Sequence, residues 1–258
     1  MFIDTHCHLS CEDYDDISLV IKDNVEAGID KMIISGCTRS SIEESIKITE
    51  EYKNIYLTIG YHPSEARFTN TDDLKYLEEQ IKSNKKIVGI GEIGLDYHYG
   101  KEDIIEQKEL FEKQLKLAEK YNLPVVIHTR DATFDTIEIL KKYPRVRGDI
   151  HCFSGSVETA RIYISLGYML GIGGVVTFKN SNLYKVVENV GLDHIILETD
   201  SPYLTPVPHR GEKNSSKYIP LIAKRIAEIL DVSIEEVSKK TLANTYKLFI
   251  DSKVKCNF

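Results

Sequence analysis

The amino-acid sequence predicts an α/β barrel of eight parallel strands, each followed by a helix, with its chemistry at the C-terminal ends of the strands. Three observations carry that reading. Short apolar, β-branched runs alternate with helical patterns eight times, at about 30 residues per unit, and such alternation implies a parallel sheet. The 258 residues match the usual size of such a barrel and leave ample length for a buried core. No G-x-G-x-x-G follows strand one, as it usually does in an open doubly wound sheet. No linker rich in Pro, Gly or Ser breaks the alternation, so one domain over residues 1–258 is expected.

The elements follow in order. Strand one is predicted over Phe2–His8, and a helix over Ile17–Ala27 stops at Gly28. Strand two covers Lys31–Ser35. Ser40-Ser41-Ile42-Glu43 is a capping-box pattern that opens a helix through Glu51. Strand three, Ile55–Ile59, ends in Gly60-Tyr61-His62-Pro63, and a helix over Asp72–Ser83 precedes strand four, Ile87–Ile93. A long helix runs from about Asp103 to Tyr121, with Ile104, Phe111, Leu115 and Ala118 on one face at helical spacing. Strand five is Pro124–Thr129, and Asp131 is placed to cap a helix through Leu140. Strand six is Gly148–Phe153, before a helix over Ser156–Leu166; strand seven is Tyr168–Val176, before a short helix over Leu183–Val190. Strand eight is His194–Thr199. Beyond a proline-rich loop, Ile219, Ile222, Ala223, Ile226 and Ile229 mark a buried helix face, and Ser233 with Glu236 opens a last helix.

Composition removes several classes. No apolar run reaches the ~18 residues of a membrane span. The N-terminus enters a strand at once, so no leader is expected. Five cysteines at irregular spacing, Cys7, Cys11, Cys37, Cys152 and Cys256, include no C-x-x-C and suit free thiols in a reducing cytoplasm. A net charge of −7 disfavours broad electrostatic binding of duplex DNA. It remains compatible with a local phosphate site built on bound divalent ions, whose charge the residue count omits.

The ionisable residues at the strand ends form a pattern. His6 and His8 share one face of strand one, because side chains at i and i+2 of a strand point the same way. Strand three contributes His62, strand four Glu92, strand five His128, strand six His151, and strand eight Glu198 and Asp200. Any one of these alone reads as a satisfied core residue. Five of the eight histidines at one end of the barrel, with three carboxylates, read instead as shared metal binding. Imidazole with carboxylate suits Zn, Mn, Fe or Co, with Mg less natural. The ligands exceed one tetrahedral zinc, which points to two ions, with Glu92 placed to bridge them.

Six segments in this order resemble the TatD family of metal-dependent deoxyribonucleases, which have the amidohydrolase-type barrel. They are Asp4-Thr5-His6-Cys7-His8, Gly60-Tyr61-His62-Pro63, Gly89-Ile90-Gly91-Glu92-Ile93-Gly94-Leu95-Asp96, Pro124-Val125-Val126-Ile127-His128-Thr129-Arg130, His151-Cys152-Phe153-Ser154-Gly155 and Leu197-Glu198-Thr199-Asp200-Ser201-Pro202-Tyr203-Leu204. The resemblance implies that His6, His8, Glu92 and Asp200 hold one divalent ion and Glu92, His128 and His151 a second, with Zn, Mg and Mn all open. It places His62 and Glu198 near the substrate phosphate or a third ion. It implies hydrolysis of phosphodiester bonds in DNA, with 3′ to 5′ exonuclease action on single strands expected.

On that reading Asp200 takes the proton from the attacking water, and Arg130 and Arg210 are candidates for the phosphate through their bidentate guanidinium. Asp4 and Asp149 are placed to accept hydrogen bonds from ligand imidazoles. Tyr61, Tyr97 and Tyr203 are candidates to stack on a base. His209 reads as merely exposed. A monomer or weak oligomer is expected. Two alternatives stand: another amidohydrolase-type hydrolase acting on an amide, lactone or phosphoester, and a non-catalytic metal-binding scaffold. Glu92, in the place where many such hydrolases carry a carboxylated lysine, argues against the first.

Overall fold

The computed structural model describes residues 1–100 and 102–251. Cys256 lies outside the described residues; among those described, Cys7, Cys11, Cys37 and Cys152 form no disulfide. The fold is an α/β barrel whose eight-stranded sheet runs in the order β1 to β8. In chain order the elements are β1 Phe2–Cys7, α1 Ile17–Glu26, β2 Ile29–Gly36, α2 Arg39–Glu51, β3 Ile55–Ile59, α3 Thr71–Ser83, β4 Ile87–Asp96, α4 Ile104–Tyr121, β5 Val125–Arg130, α5 Thr133–Leu140, β6 Gly148–Ile150, α6 Val157–Ser165, β7 Tyr168–Ile172, α7 Leu183–Val190, β8 Ile195–Leu197, α8 Ile219–Leu230 and α9 Ile234–Thr245. The chain divides into two compact units: Met1–Ile34 with His151–Lys247, and Ser35–Ile150 with the segment from Leu248.

In the first unit, β1 is buried along its whole length. It meets the segment that follows β8 through a parallel bridge between Cys7 and Ser201. The Asp200 amide donates to the His6 carbonyl at 3.0 Å, and the His8 amide to the Ser201 carbonyl at 2.8 Å. Strands β7 and β8 pair in parallel. Helix α8 buries Ile219, Ile222, Ala223 and Ile226 of its predicted face, while Ile229 is half-buried, and each isoleucine contributes ~1.5–3 kcal/mol when fully buried. Ser233 caps α9 by accepting the Glu236 amide.

In the second unit, β3 pairs with β4, β4 with β5 and β5 with β6, all in parallel. Gly94 has φ +146°, and a Cβ there would stand 1.9 Å from the His128 carbonyl oxygen, so only glycine lets β4 lie this close to β5. Helix α4 buries the predicted Phe111, Leu115 and Ala118, while Ile104 is half-buried. The same face also buries two glutamines, Gln107 and Gln114.

Several boundaries differ from expectation. The N-cap of α2 is Thr38, whose hydroxyl accepts the Ser41 amide, so the capping box starts two residues before Ser40. Asp131 does not cap α5; it lies at φ 53° and pairs with His98 at 3.0 Å. Strand β7 ends at Ile172 because Gly174–Thr177 turns into a 3-10 helix. Strands β6 and β8 stop three and two residues short of Phe153 and Thr199, because the chain leaves extended geometry there: Cys152 has φ 48° and Asp200 φ 54°.

Candidate metal centre

In the first unit, β1 places His6 fully inside and His8 at the rim. Their Nε2 atoms stand 3.3 Å apart. Two imidazole nitrogens facing each other at that distance need a proton or a cation between them. Asp200 Oδ1 lies 3.6 Å from each. Donor atoms of a tetrahedral ion with bonds of about 2.0–2.2 Å are about 3.3–3.6 Å apart. The His6–His8–Asp200 triangle therefore has the dimensions of one face of such a coordination shell. His151 stacks its ring on His6 with centroids 3.9 Å apart. One ligand atom each from His6, His151 and Asp200 fall within 4.8 Å of one another.

Asp200 reaches this point because the chain turns at φ 54° directly after β8. Asp4 holds the turn. Its carboxylate accepts the His6 amide at 3.2 Å, the Thr199 amide at 3.0 Å and the Thr199 hydroxyl at 2.6 Å. The sequence suggested that Asp4 accepts from ligand imidazoles; it binds backbone and hydroxyl instead. Burial pushes its carboxyl up to about 7, against the lowering effect of those hydrogen bonds. Asn214, which sequence reasoning missed, secures the far side of the same turn. Its side-chain amide donates to the Thr199 carbonyl at 2.9 Å and to the Tyr203 carbonyl, and its oxygen accepts the Ser215 amide.

Glu198 is wholly buried. Its Oε1 accepts the Cys152 amide at 2.6 Å and lies 3.6 Å from His151 Nδ1. Burial raises its pKa. The space for this carboxylate exists because β7 carries glycine opposite it: a Cβ at Gly171 would lie 2.3 Å from Glu198 Oε2.

In the second unit, Glu92, Asp96 and His128 form a chain. His128 Nδ1 is 2.7 Å from Glu92 Oε1, and Nε2 is 3.1 Å from Asp96 Oδ2. His62 Nε2 lies 3.9 Å from Glu92 Oε1, and the His62 ring meets the His128 ring edge-on at 4.6 Å. The Cys37 thiol donates to Glu92 Oε2 at 3.5 Å, and burial holds that thiol protonated, well above its usual range. One ligand atom each from His62, Asp96 and His128 fall within 4.8 Å of one another. Asp96 was not singled out from the sequence, although it shares strand parity with Glu92. Burial raises its carboxyl, but hydrogen bonds from His128 and the His98 amide bring the net shift below the usual value.

The remaining candidates sit as follows. Arg130 is exposed and donates to the Tyr99 hydroxyl at 3.3 Å, with its guanidinium 5.3 Å from that ring. Arg210 donates to the Thr205 carbonyl at 3.0 Å and lies 4.0 Å over Phe178, which ties it to its own loop. Of the three tyrosines, Tyr203 is exposed and edge-on to His8 at 6.4 Å, Tyr61 is buried, and Tyr97 donates to Asp135 at 2.8 Å. His209 pairs with Glu212 and stacks on Tyr218. Asp149 is buried. Among the described residues, no helix is long and apolar enough to cross a membrane.

Comparison with known proteins bears on this donor set. The family model described as TatD-related DNase matches residues 3–250. The uncharacterized metal-dependent hydrolase YabD of Bacillus subtilis is 41% identical over 253 residues, covering 96% of this chain and 99% of the relative. The uncharacterized metal-dependent hydrolase YcfH of Escherichia coli is 33% identical over 256 residues, covering 96% and 95%. The crystal structure of YjjV, a TatD homolog from Escherichia coli, superposes with a TM-score of 0.88 at 30% identity, covering 96% of this chain and 97% of that one.

Proposed function

The chain belongs to the TatD-related DNase family of metal-dependent hydrolases, and from that premise we propose that it cleaves phosphodiester bonds of DNA, acting 3′ to 5′ on single strands in the cytoplasm as a monomer or weak oligomer. The proposed ligands are His6, His8, Glu92 and Asp200 for one divalent ion, and Glu92, His128 and His151 for a second, with Zn, Mg or Mn as the ion. The observation that carries the reading is the His6–His8–Asp200 triangle, whose edges of 3.3, 3.6 and 3.6 Å match tetrahedral donor spacing.

Divalent ions held by these residues would lower the pKa of a bound water and would neutralise charge on the scissile phosphate. The protein's own groups do the rest. Asp200, on a fixed turn and 17% exposed, accepts the proton of the attacking water at its carboxylate. Asp96, on Nε2 of His128, orients that ring so that Nδ1, 2.7 Å from Glu92 Oε1, is the nitrogen that would take an ion. Glu198 fixes the rotamer of His151 from a site closed to water. His62 and the exposed Arg130 face the phosphate, where a guanidinium offers two parallel hydrogen bonds. Arg210, held by Thr205 and Phe178, shapes the loop that carries it.

The test is cleavage of end-labelled single- and double-stranded DNA with Mg, Mn, Zn or Co, beside a panel of esters, lactones and amides. Release of mononucleotides from the 3′ end is expected, and His6→Ala or Asp200→Asn should lower the rate on the order of 10²–10⁴-fold without loss of fold. Full activity in either variant, or turnover of the panel without DNA cleavage, sinks the reading.

A further inference from the structure

Within the second unit, helix α4 carries an apolar stripe, and two of its buried positions carry a carboxamide instead. Gln107 is 4% exposed and Gln114 is 0%. Each makes the same paired contact. The Tyr61 amide donates to Gln114 Oε1 at 2.7 Å, and Gln114 Nε2 donates back to the Tyr61 carbonyl at 3.0 Å. The Asp96 amide donates to Gln107 Oε1 at 2.8 Å, and Gln107 Nε2 donates back to the Asp96 carbonyl at 2.9 Å and to Asp103 at 2.9 Å.

A strand that stops inside a protein leaves an amide and a carbonyl without ladder partners, and both must be satisfied. A glutamine side chain carries one acceptor and a two-hydrogen donor, so it completes both groups of a single residue. Glutamate lacks the donor, methionine lacks both, and asparagine is one methylene short. The clamps also land at chosen places. Tyr61 directly precedes His62. Asp96 is itself the residue that reaches His128 Nε2. Seven residues of helix span about 10.5 Å, so one rigid rod fixes the ends of β3 and β4 at a set separation. A Cβ at Gly60 would stand 2.6 Å from Ile93 Cγ2 and 3.3 Å from Gln114 Oε1, so glycine relieves crowding beside the first clamp.

We infer that Gln107 and Gln114 are positioning residues with separate duties: Gln107 acts through Asp96 on the metal-binding geometry of His128, and Gln114 acts through Tyr61 on His62 and the bound DNA phosphate. The division of duties rests on the function proposed above. Neither glutamine touches substrate or a proposed ligand.

The experiment compares Gln107→Met and Gln114→Met in the full chain. Each loses the same paired contact, and Gln107→Met also the bond to Asp103, so plain packing predicts a somewhat larger drop in Tm for Gln107→Met and effects on both affinities in the same proportion. Mn²⁺ affinity is titrated, and Kd for a labelled single strand is read by anisotropy, at a temperature where all variants are folded. Gln107→Met is expected to weaken Mn²⁺ binding about tenfold, the lower end for partners of a metal ligand, and Gln114→Met to leave it within about twofold. Gln114→Met is expected to weaken strand binding about tenfold instead. Equal losses in both variants, or lower Tm with no change in either affinity, overturn the inference. If a methionine variant does not fold, the same contrast is read on Gln107→Glu and Gln114→Glu, which keep the shape and lose the donor. If the wild type neither binds nor cleaves DNA, the proposed function fails, and the Mn²⁺ contrast alone decides: loss in Gln107→Met only sustains the positioning role, and any other pattern refutes it.

Discussion

Gly171→Ala tests how tightly the buried carboxylate of Glu198 is seated. Gly171 lies within β7, in extended backbone that alanine adopts freely, so the effect is steric. The added Cβ would meet Glu198 Oε2 at 2.3 Å, Glu198 Cδ at 2.8 Å and the His151 Cα at 3.2 Å. The first two atoms belong to a side chain that can move, but only by giving up the 2.6 Å bond from the Cys152 amide. Overpacking costs about 1–3 kcal/mol, and leaving a buried hydrogen-bonding group without its partner costs about 1–3 kcal/mol. Side-chain movement relieves part of the first, so a total near ~3 kcal/mol is expected. In a Glu198→Ala background the carboxylate is gone, and the new methyl group enters vacated space. Of the three nearest contacts the 3.2 Å approach to His151 Cα is left, and the cost should fall below ~1 kcal/mol, a coupling of about 2 kcal/mol. Urea denaturation of the four metal-free proteins measures the cycle. Strictly additive costs would falsify the account of Gly171 as the seat of Glu198.

Three further outcomes are expected. Asn214→Ala removes the bonds to Thr199, Tyr203 and Ser215; a loss of about 2–3 kcal/mol should appear in urea, with kcat falling as the Asp200 turn loosens, and a loss under ~0.5 kcal/mol contradicts the anchoring role. Glu78 is held down to about 2 by hydrogen bonds from Lys120, Tyr121 and Lys82. A lowered carboxyl stabilises the fold above its ordinary range near 4.5 and loses that effect as pH falls through about 2, so the Tm gap between wild type and Glu78→Gln should be full at neutral pH and shrink across that window; a gap constant with pH contradicts it. Thr38→Ala deletes the α2 cap and should cost about 1 kcal/mol, whereas Ser40→Ala should cost little; the reverse order would restore the sequence-based cap.

Hydrophobic periodicity carried most of the fold. Ile55–Ile59 and Leu183–Val190 match their predicted limits because apolar runs of that kind are decided locally. Limits failed where tertiary contacts bend the chain toward the donors, at Cys152 and Asp200, both at positive φ. No local signal marks an aspartate that must leave the strand to reach two imidazoles. The cap of α2 differs from expectation because Ser-Ser-Ile-Glu and Thr-Arg-Ser-Ser offer overlapping capping patterns. Asp96 was legible in principle, four residues beyond Glu92 on the same strand face. Gln107 and Gln114 were hidden because a polar residue within an apolar stripe looks like its exposed edge. Asn214 had no sequence signal: its partners at 199 and 203 meet it only through a loop.

The link from Asp4 to Thr199 joins residues 195 apart in the chain. At a synthesis rate of about 5–20 residues per second, roughly 10–40 s separate the appearance of the first from that of the second. The segment from Ser35 to Ile150 is continuous and belongs to one compact unit, while the other unit needs both Met1–Ile34 and His151–Lys247. During that interval His6 and His8 are present without Asp200, a two-nitrogen fragment with little hold on an ion. The three donor groups of this triangle are therefore complete only late in the life of the nascent chain.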